Sequence, residues 1–183
     1  MKNIFLSVVA LVAMAFTTQT YAQKNPMVGG AAMYASKDIV DNAVNSKDHT
    51  TLVAAVKAAG LVETLKGKGP FTVFAPTNAA FDKLPAGTVD MVLKPENKAM
   101  LTKILTYHVV AGKMDAKAIA KAIKMGKGKA ELTTVAGGKL WAWMEGDKLM
   151  LKDEKGGMAT VTIADVMQKN GVIHVIDTVL MPN

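Results

Sequence analysis

One stretch constrains what this chain can fold into more than any other: Gly69-Pro-Phe-Thr-Val-Phe-Ala-Pro-Thr-Asn-Ala-Ala-Phe-Asp-Lys-Leu-Pro85. In an extended segment Phe71 and Val73 fall on one face and Thr72 and Phe74 on the other, so the strand needs cover on both sides. Pro76 has no N–H for a ladder and biases the residue before it to an extended conformation, which ends the strand. Thr77 or Asn78 then caps a short helix whose Ala79, Ala80 and Phe81 turn back to the core. The natural partner is Asn170-Gly-Val-Ile-His-Val-Ile-Asp-Thr-Val-Leu-Met-Pro182, a β-branched run that opens on a turn.

Around these two runs the chain reads as helices first and short strands afterwards. Residues 23–36 read as a lead-in without regular structure, and Ser36 as the cap of a helix over 38–43. Leu52, Val53, Val56 and Ala59 recur at helical spacing, with Gly60 as the stop and one further turn over 61–65. A short helix over 88–93 precedes Pro95-Glu96, a good helix start. Leu101, Ile104, Leu105 and His108 then form a stripe at i, i+3, i+4 and i+7 that carries Tyr107-His108 to the core. Asp115 caps a second amphipathic helix, with Ile119, Ala122 and Ile123 inward and Lys117, Lys121 and Lys124 outward. Strands are expected over 131–135, 139–144, 149–151, 158–164 and 172–179. This order argues α+β rather than alternating α/β.

Three segments, Phe71-Thr-Val-Phe-Ala-Pro-Thr-Asn-Ala-Ala-Phe81, Tyr107-His-Val-Val110 and Asn170-Gly-Val-Ile-His-Val-Ile-Asp-Thr-Val-Leu180, resemble in order and spacing the signature segments of the fasciclin-like domain family. The resemblance runs over about 37–182, which makes 37–183 the expected domain. It implies a wedge-shaped β-sandwich with N-terminal and flanking helices. It also implies a secreted adhesion or interaction module without catalytic activity. Tyr107-His108 corresponds to a Tyr-His motif with roles in structural support and cell adhesion. Asp165-Val166 falls where animal adhesion relatives carry an Asp-Ile pair implicated in integrin binding; here the aliphatic partner is one methylene shorter.

Residues 1–22 read as an export signal: Lys2 supplies the positive charge, 4–16 the apolar run, and Thr20-Tyr-Ala22 the small-residue cleavage site. The run is short for a membrane span, and no Cys follows it to carry a lipid. The expected destination is the periplasm or the medium. The chain has no Cys at all, so disulfides and thiolate chemistry are excluded. The formal charge is +7, or +6 without Lys2, and all 22 basic residues are Lys. Without Arg, bidentate reading of phosphate or base edges is unsupported, which argues against nucleic acid. A Lys-rich exported surface suits anionic polysaccharide, lipid head groups or another protein, with plain solvation as the alternative.

A catalytic constellation does not assemble. Beyond the leader the serines are Ser36 and Ser46, neither in a Gly-x-Ser-x-Gly elbow. His49, His108 and His174 lack zinc-ligand spacing, and Gly126-Lys-Gly-Lys129 lacks the phosphate-loop pattern. No metal or cofactor is expected. His108 and His174 sit between apolar neighbours and read as hydrogen-bonded core histidines. Asp165 reads as a turn cap or as a carboxylate offered to a partner. The dispersed methionines read as flexible core filling.

Trp141 and Trp143 alternate along a strand with Lys139 on the same face, while Leu140, Ala142 and Met144 take the inward face. Either the two rings form an outward contact surface with Lys139, or the helical layer covers them. The partner-binding candidates are thus Tyr107, His108, Asp165, Val166, Lys139, Trp141 and Trp143. Lys117, Lys121 and Lys124 are candidates for an anionic surface. The expected partner is a cell-surface protein or polysaccharide; the alternatives are a small apolar or anionic ligand held between sandwich and helices, or a structural role in the envelope.

Overall fold

A computed structural model describes residues 25–183. The leader read at 1–22 lies outside the described residues. Where an irregular lead-in was expected, the strands β1 (Met27–Val28) and β2 (Ala31–Ala32) pair antiparallel across Gly29-Gly30. This ribbon delivers Val28 and Met33 into the core. A Cβ on Gly29 would stand 2.3 Å from Ser46 Oγ, so the ribbon lies tightly against the loop that follows α1 (Ile39–Ala43). Asp38, not Ser36, caps α1: its Oδ1 accepts from Asp41 N at 2.8 Å.

Helices α2 (Thr50–Ala59) and α3 (Val62–Lys66) follow, divided by Gly60 in the left-handed region at φ 73°. Next come β3 (Phe71–Pro76), α4 (Asn78–Asp82), α5 (Thr88–Leu93), α6 (Lys98–Tyr107) and β4 (Val109–Ala111). Thr77 caps α4 through its hydroxyl, which accepts from Ala80 N. Asp115 caps α7 (Ala116–Met125) by accepting from Ala118 N at 2.7 Å. The remaining strands are β5 (Ala130–Thr133), β6 (Lys139–Glu145), β7 (Lys148–Lys152), β8 (Met158–Gln168) and β9 (Gly171–Ile176).

Seven strands form one mixed sheet in the order β4-β3-β9-β8-β7-β6-β5, antiparallel throughout except for the parallel pair β3–β9. Its two edges meet. Val110 bridges to Thr134, and Val135 N donates to Val109 O at 2.7 Å, so the sheet curls into a nearly closed barrel-like sandwich. Closure gives the edge groups partners inside the molecule. The fold is α+β.

The two-faced strand now has its physical reason. On one side of β3 and β9, Val73, Ala75, Ile173 and Val175 pack against Ile39, Leu52, Val56 and Leu105 of the helices. On the other side Phe74 and Ile176 fill the interior with Leu140, Ala142 and Leu151, while Ile119 and Ile123 of α7 join the same cluster. Each buried Val, Leu, Ile or Phe side chain there contributes about 1.5–3 kcal/mol by leaving water, in keeping with β9 being buried along its whole length. Strands β5 to β7 instead alternate buried and exposed positions, so half of the sheet keeps a wet face.

Two further expectations are corrected. Met144 is 42 % exposed near the end of β6, where it pairs with Leu149, and is not buried as Leu140 and Ala142 are. Methionine does not fill the core either. Among the described residues Met33 is the one buried methionine, while Met27, Met91, Met100, Met125 and Met158 are exposed, because Leu, Ile and Val take the inward positions.

Candidate functional site

Tyr107 ends α6 and His108 follows it, and both are sealed inside the domain. The Tyr107 hydroxyl donates to Lys139 O at 2.6 Å and accepts from Glu154 N at 3.1 Å. Its ring lies against Gly138, where a Cβ would come within 2.7 Å of Cε2. Burial pushes the phenol up to about 12. Leu180 N donates to His108 Nε2 at 3.0 Å, which leaves the proton on Nδ1 to be donated to Ile104 O at 2.9 Å. Desolvation pushes this imidazole down to about 4, so it is neutral at pH 7. The motif is a structural clasp, and neither side chain has surface to offer a partner.

The same clasp holds the last residues of the chain. Beyond the Leu180 bond, Met181 N donates to Asp153 Oδ2 at 2.8 Å and Asn183 N to Glu154 Oε2 at 3.2 Å. The Lys103 ammonium also reaches Asn183 O. The backbone N–H groups of Lys139 and Asn183 hold the Glu154 carboxyl below its ordinary value.

Asp165 stands at a bulged point of β8, where the register shifts on either side of Ile163 and φ is 59°. Its Oδ1 accepts from Ala116 N at 2.6 Å, which ties β8 to the first turn of α7. Asp165 N in turn donates to Nδ1 of His174, whose Nε2 donates to Met114 O at 2.8 Å. The carboxylate thus works inside the fold as a helix cap. The bulge turns Val166 inward to complete burial, so this side chain has no exposed surface.

The outward candidates lie on the wet half of the sheet. Lys139, Trp141 and Trp143 share one face of β6 and are partly exposed, with Leu140 and Ala142 beneath them in the core. Glu131 and Lys152 flank Trp141 across the ladder, and Met150 pairs with Trp143. Helix α7 packs on the opposite, core face through Ile119 and Ile123, so among the described residues no helix covers the two indoles. Lys139 Nζ pairs with Glu131 at 2.9 Å, and Lys129 Nζ sits 5.1 Å over the Trp141 ring. Lys117, Lys121 and Lys124 are exposed on α7, away from this face.

Two cavities flank these elements, the first not legible in the sequence and the second where the sequence allows a pocket between sandwich and helices. One is a concavity of about 360 Å³ beside Trp141, bounded by Lys129, Lys152, Glu154 and Lys155. The other is an apolar cleft of about 70 Å³ between α1, α2, α3 and the sheet, lined by Val40, Val56, Leu65, Phe71 and Val109 among others. Among the described residues no three His, Asp or Glu side chains converge as a metal-ligand group would. None of the helices there is long and apolar enough to cross a membrane.

A curled sheet backed by helices, with His108 and His174 spent on structure and both tryptophans partly exposed, fits an interaction domain whose chemistry lies on its surface. The chain belongs to the fasciclin domain family, whose model matches residues 47–182. It is 48 % identical over 160 residues to protein sll1483 of Synechocystis sp., covering 87 % of this chain and 82 % of that protein. It is 38 % identical over 168 residues to the immunogenic protein MPB70 of Mycobacterium bovis, covering 88 % and 78 %. Against the cell surface glycolipoprotein MPB83 of Mycobacterium bovis the identity is 39 % over 168 residues, covering 88 % and 69 %. The fold is shared with a domain pair of the insect cell adhesion molecule fasciclin I, with a TM-score of 0.57 and 24 % identity, over 71 % of this chain and 43 % of that one.

Proposed function

We propose that this protein is an exported adhesion or interaction domain that meets a cell-surface or extracellular-matrix partner through the outward face of β6. Its activity is binding, not catalysis, and it works in the periplasm or outside the cell. The observation that carries this reading is that both tryptophans lie outside the core on a sheet face that no described helix covers. Rigid indoles half out of water are what recurrent contact surfaces are made of. The export signal expected from the sequence over 1–22 and the surface and adhesion names of the relatives support the location. The test is a Trp141→Ala/Trp143→Ala variant assayed for retention on intact cells and cell-envelope fractions. The expected result is lost retention with unchanged melting; a variant that melts normally and is retained like the parent would refute the assignment.

A second reading, a small apolar ligand, is favoured by the cleft behind β3. Its volume of about 70 Å³ is roughly half that of a dry cavity known to take benzene, so it suits only the end of an acyl chain or a similarly small group. Mass spectrometry of the intact protein under non-denaturing conditions tests this reading: a bound species supports it, and a bare protein after incubation with short fatty acids removes it.

A further inference from the structure

The concavity beside Trp141 is lined by more basic than acidic side chains. Five of its side chains are charged: Lys129, Lys152, Lys155, Asp153 and Glu154. The two acids are already committed to backbone amides. Asp153 is buried and accepts from Gly157 N at 2.6 Å and Met181 N at 2.8 Å. Glu154 accepts from Lys139 N at 2.8 Å and Asn183 N at 3.2 Å. Nearby Glu131 is taken by Lys139. Among the described residues none of the three lysines makes an ion pair; Lys129 lies over the Trp141 ring, and Lys152 and Lys155 line the same concavity.

From this charge arrangement we infer that the concavity is a subsite for an acidic polysaccharide, in which a sugar ring stacks on Trp141 while a uronate carboxylate lies among Lys129, Lys152 and Lys155. The inference rests on the proposed contact face and names the chemistry it takes. The volume of about 360 Å³ lies within the range of small-molecule sites. A polymer strand enters a concave site that a flat lipid surface does not reach. Lys129, which lies over the Trp141 ring, moves aside on its flexible stem so that the indole meets the C–H face of a sugar, and the lysines, compact point charges, meet a carboxylate without demanding one fixed geometry.

The experiment measures binding of the purified protein to immobilised polygalacturonate, with dextran and phosphatidylglycerol vesicles alongside. The expected result is binding to polygalacturonate and not to dextran, weakening as salt rises. A Lys129→Gln/Lys152→Gln/Lys155→Gln variant should bind about tenfold more weakly, the sum of three exposed charge contacts. A Lys117→Gln/Lys121→Gln/Lys124→Gln variant carries the same charge change on α7 and should bind as the parent does. Equal losses in the two triple variants would overturn the subsite in favour of net charge alone. Binding to the vesicles but not to polygalacturonate would overturn it in favour of lipid. Retention on cell envelopes separates this proposal from the one beneath it. If removing the tryptophans abolishes retention while the first lysine variant changes nothing, the contact face stands and the acidic-glycan subsite falls.

Discussion

The burial of His108 sets a pH dependence that its structure makes calculable. Its folded value is about 4 against an ordinary 6.5, because desolvation disfavours the imidazolium. The unfolded chain therefore binds more protons than the native one between these values. Stability contributed by the neutral ring is fully present above pH 6.5, falls as pH drops towards 4, and levels off below. At about 1.36 kcal/mol per pH unit, the loss between pH 7 and pH 5 is about 2 kcal/mol from this residue. Burial also lowers His49 and His174, and both add in the same direction. With a urea dependence of about 2 kcal/mol per molar, the unfolding midpoint should fall by about 1 M across that interval. Carboxylates contribute mainly below it, since their ordinary values lie near 4. The assay is urea unfolding by Trp fluorescence at pH 7, 6 and 5, on the parent and on His108→Gln, which keeps a donor and an acceptor. The variant should start lower yet lose about 2 kcal/mol less on acidification. A parent midpoint that stays flat from pH 7 to 5, or a variant that falls as steeply as the parent, would refute the reasoning.

Other substitutions probe the remaining clasps. Tyr107→Phe leaves Lys139 O and Glu154 N without their partner in a partly buried site and should cost about 1 kcal/mol in the same unfolding assay; a loss within error would mean the hydroxyl is dispensable. Asp165→Ala removes the acceptor for Ala116 N and places a Cβ-bearing residue without a polar side chain in the left-handed region, for a loss of about 2 kcal/mol. Asp165→Gly relieves the backbone and should be milder, so an alanine variant more stable than the glycine variant would contradict this account.

Much of the fold was legible because its strongest signals are local. The two-faced run at Phe71–Phe74, the caps at Thr77 and Asp115 and the stop at Gly60 each depend on neighbours a few residues away. The ribbon at residues 27–32 was not legible, since two-residue strands carry no alternation. Ser36 and Asp38 are both good caps, and only the geometry around Asp41 decides between them. The bulges of β8 break the period of two, which hid the inward turn of Val166. For the candidate site, alternation alone placed Lys139, Trp141 and Trp143 on one face. The concavity beside them brings Lys129 together with the turn after β7, and the commitment of Asp153 and Glu154 depends on amides from both ends of the strand set. Such bonds span up to 29 positions, and no local pattern announces them.

The C-terminal clasp has a mechanical consequence. Residues 180–183 continue no strand; Leu180, Met181 and Asn183 are each held by a bond of their own, to His108, Asp153 and Glu154 in turn. A load applied at Asn183 meets these bonds one after another, as a zip does, rather than all at once, as a sheared strand does. Tension arriving from that end is released in small steps near Tyr107 and His108 before it reaches the parallel pair of β3 and β9, which makes the tail a yielding link and the central strands the anchor behind it.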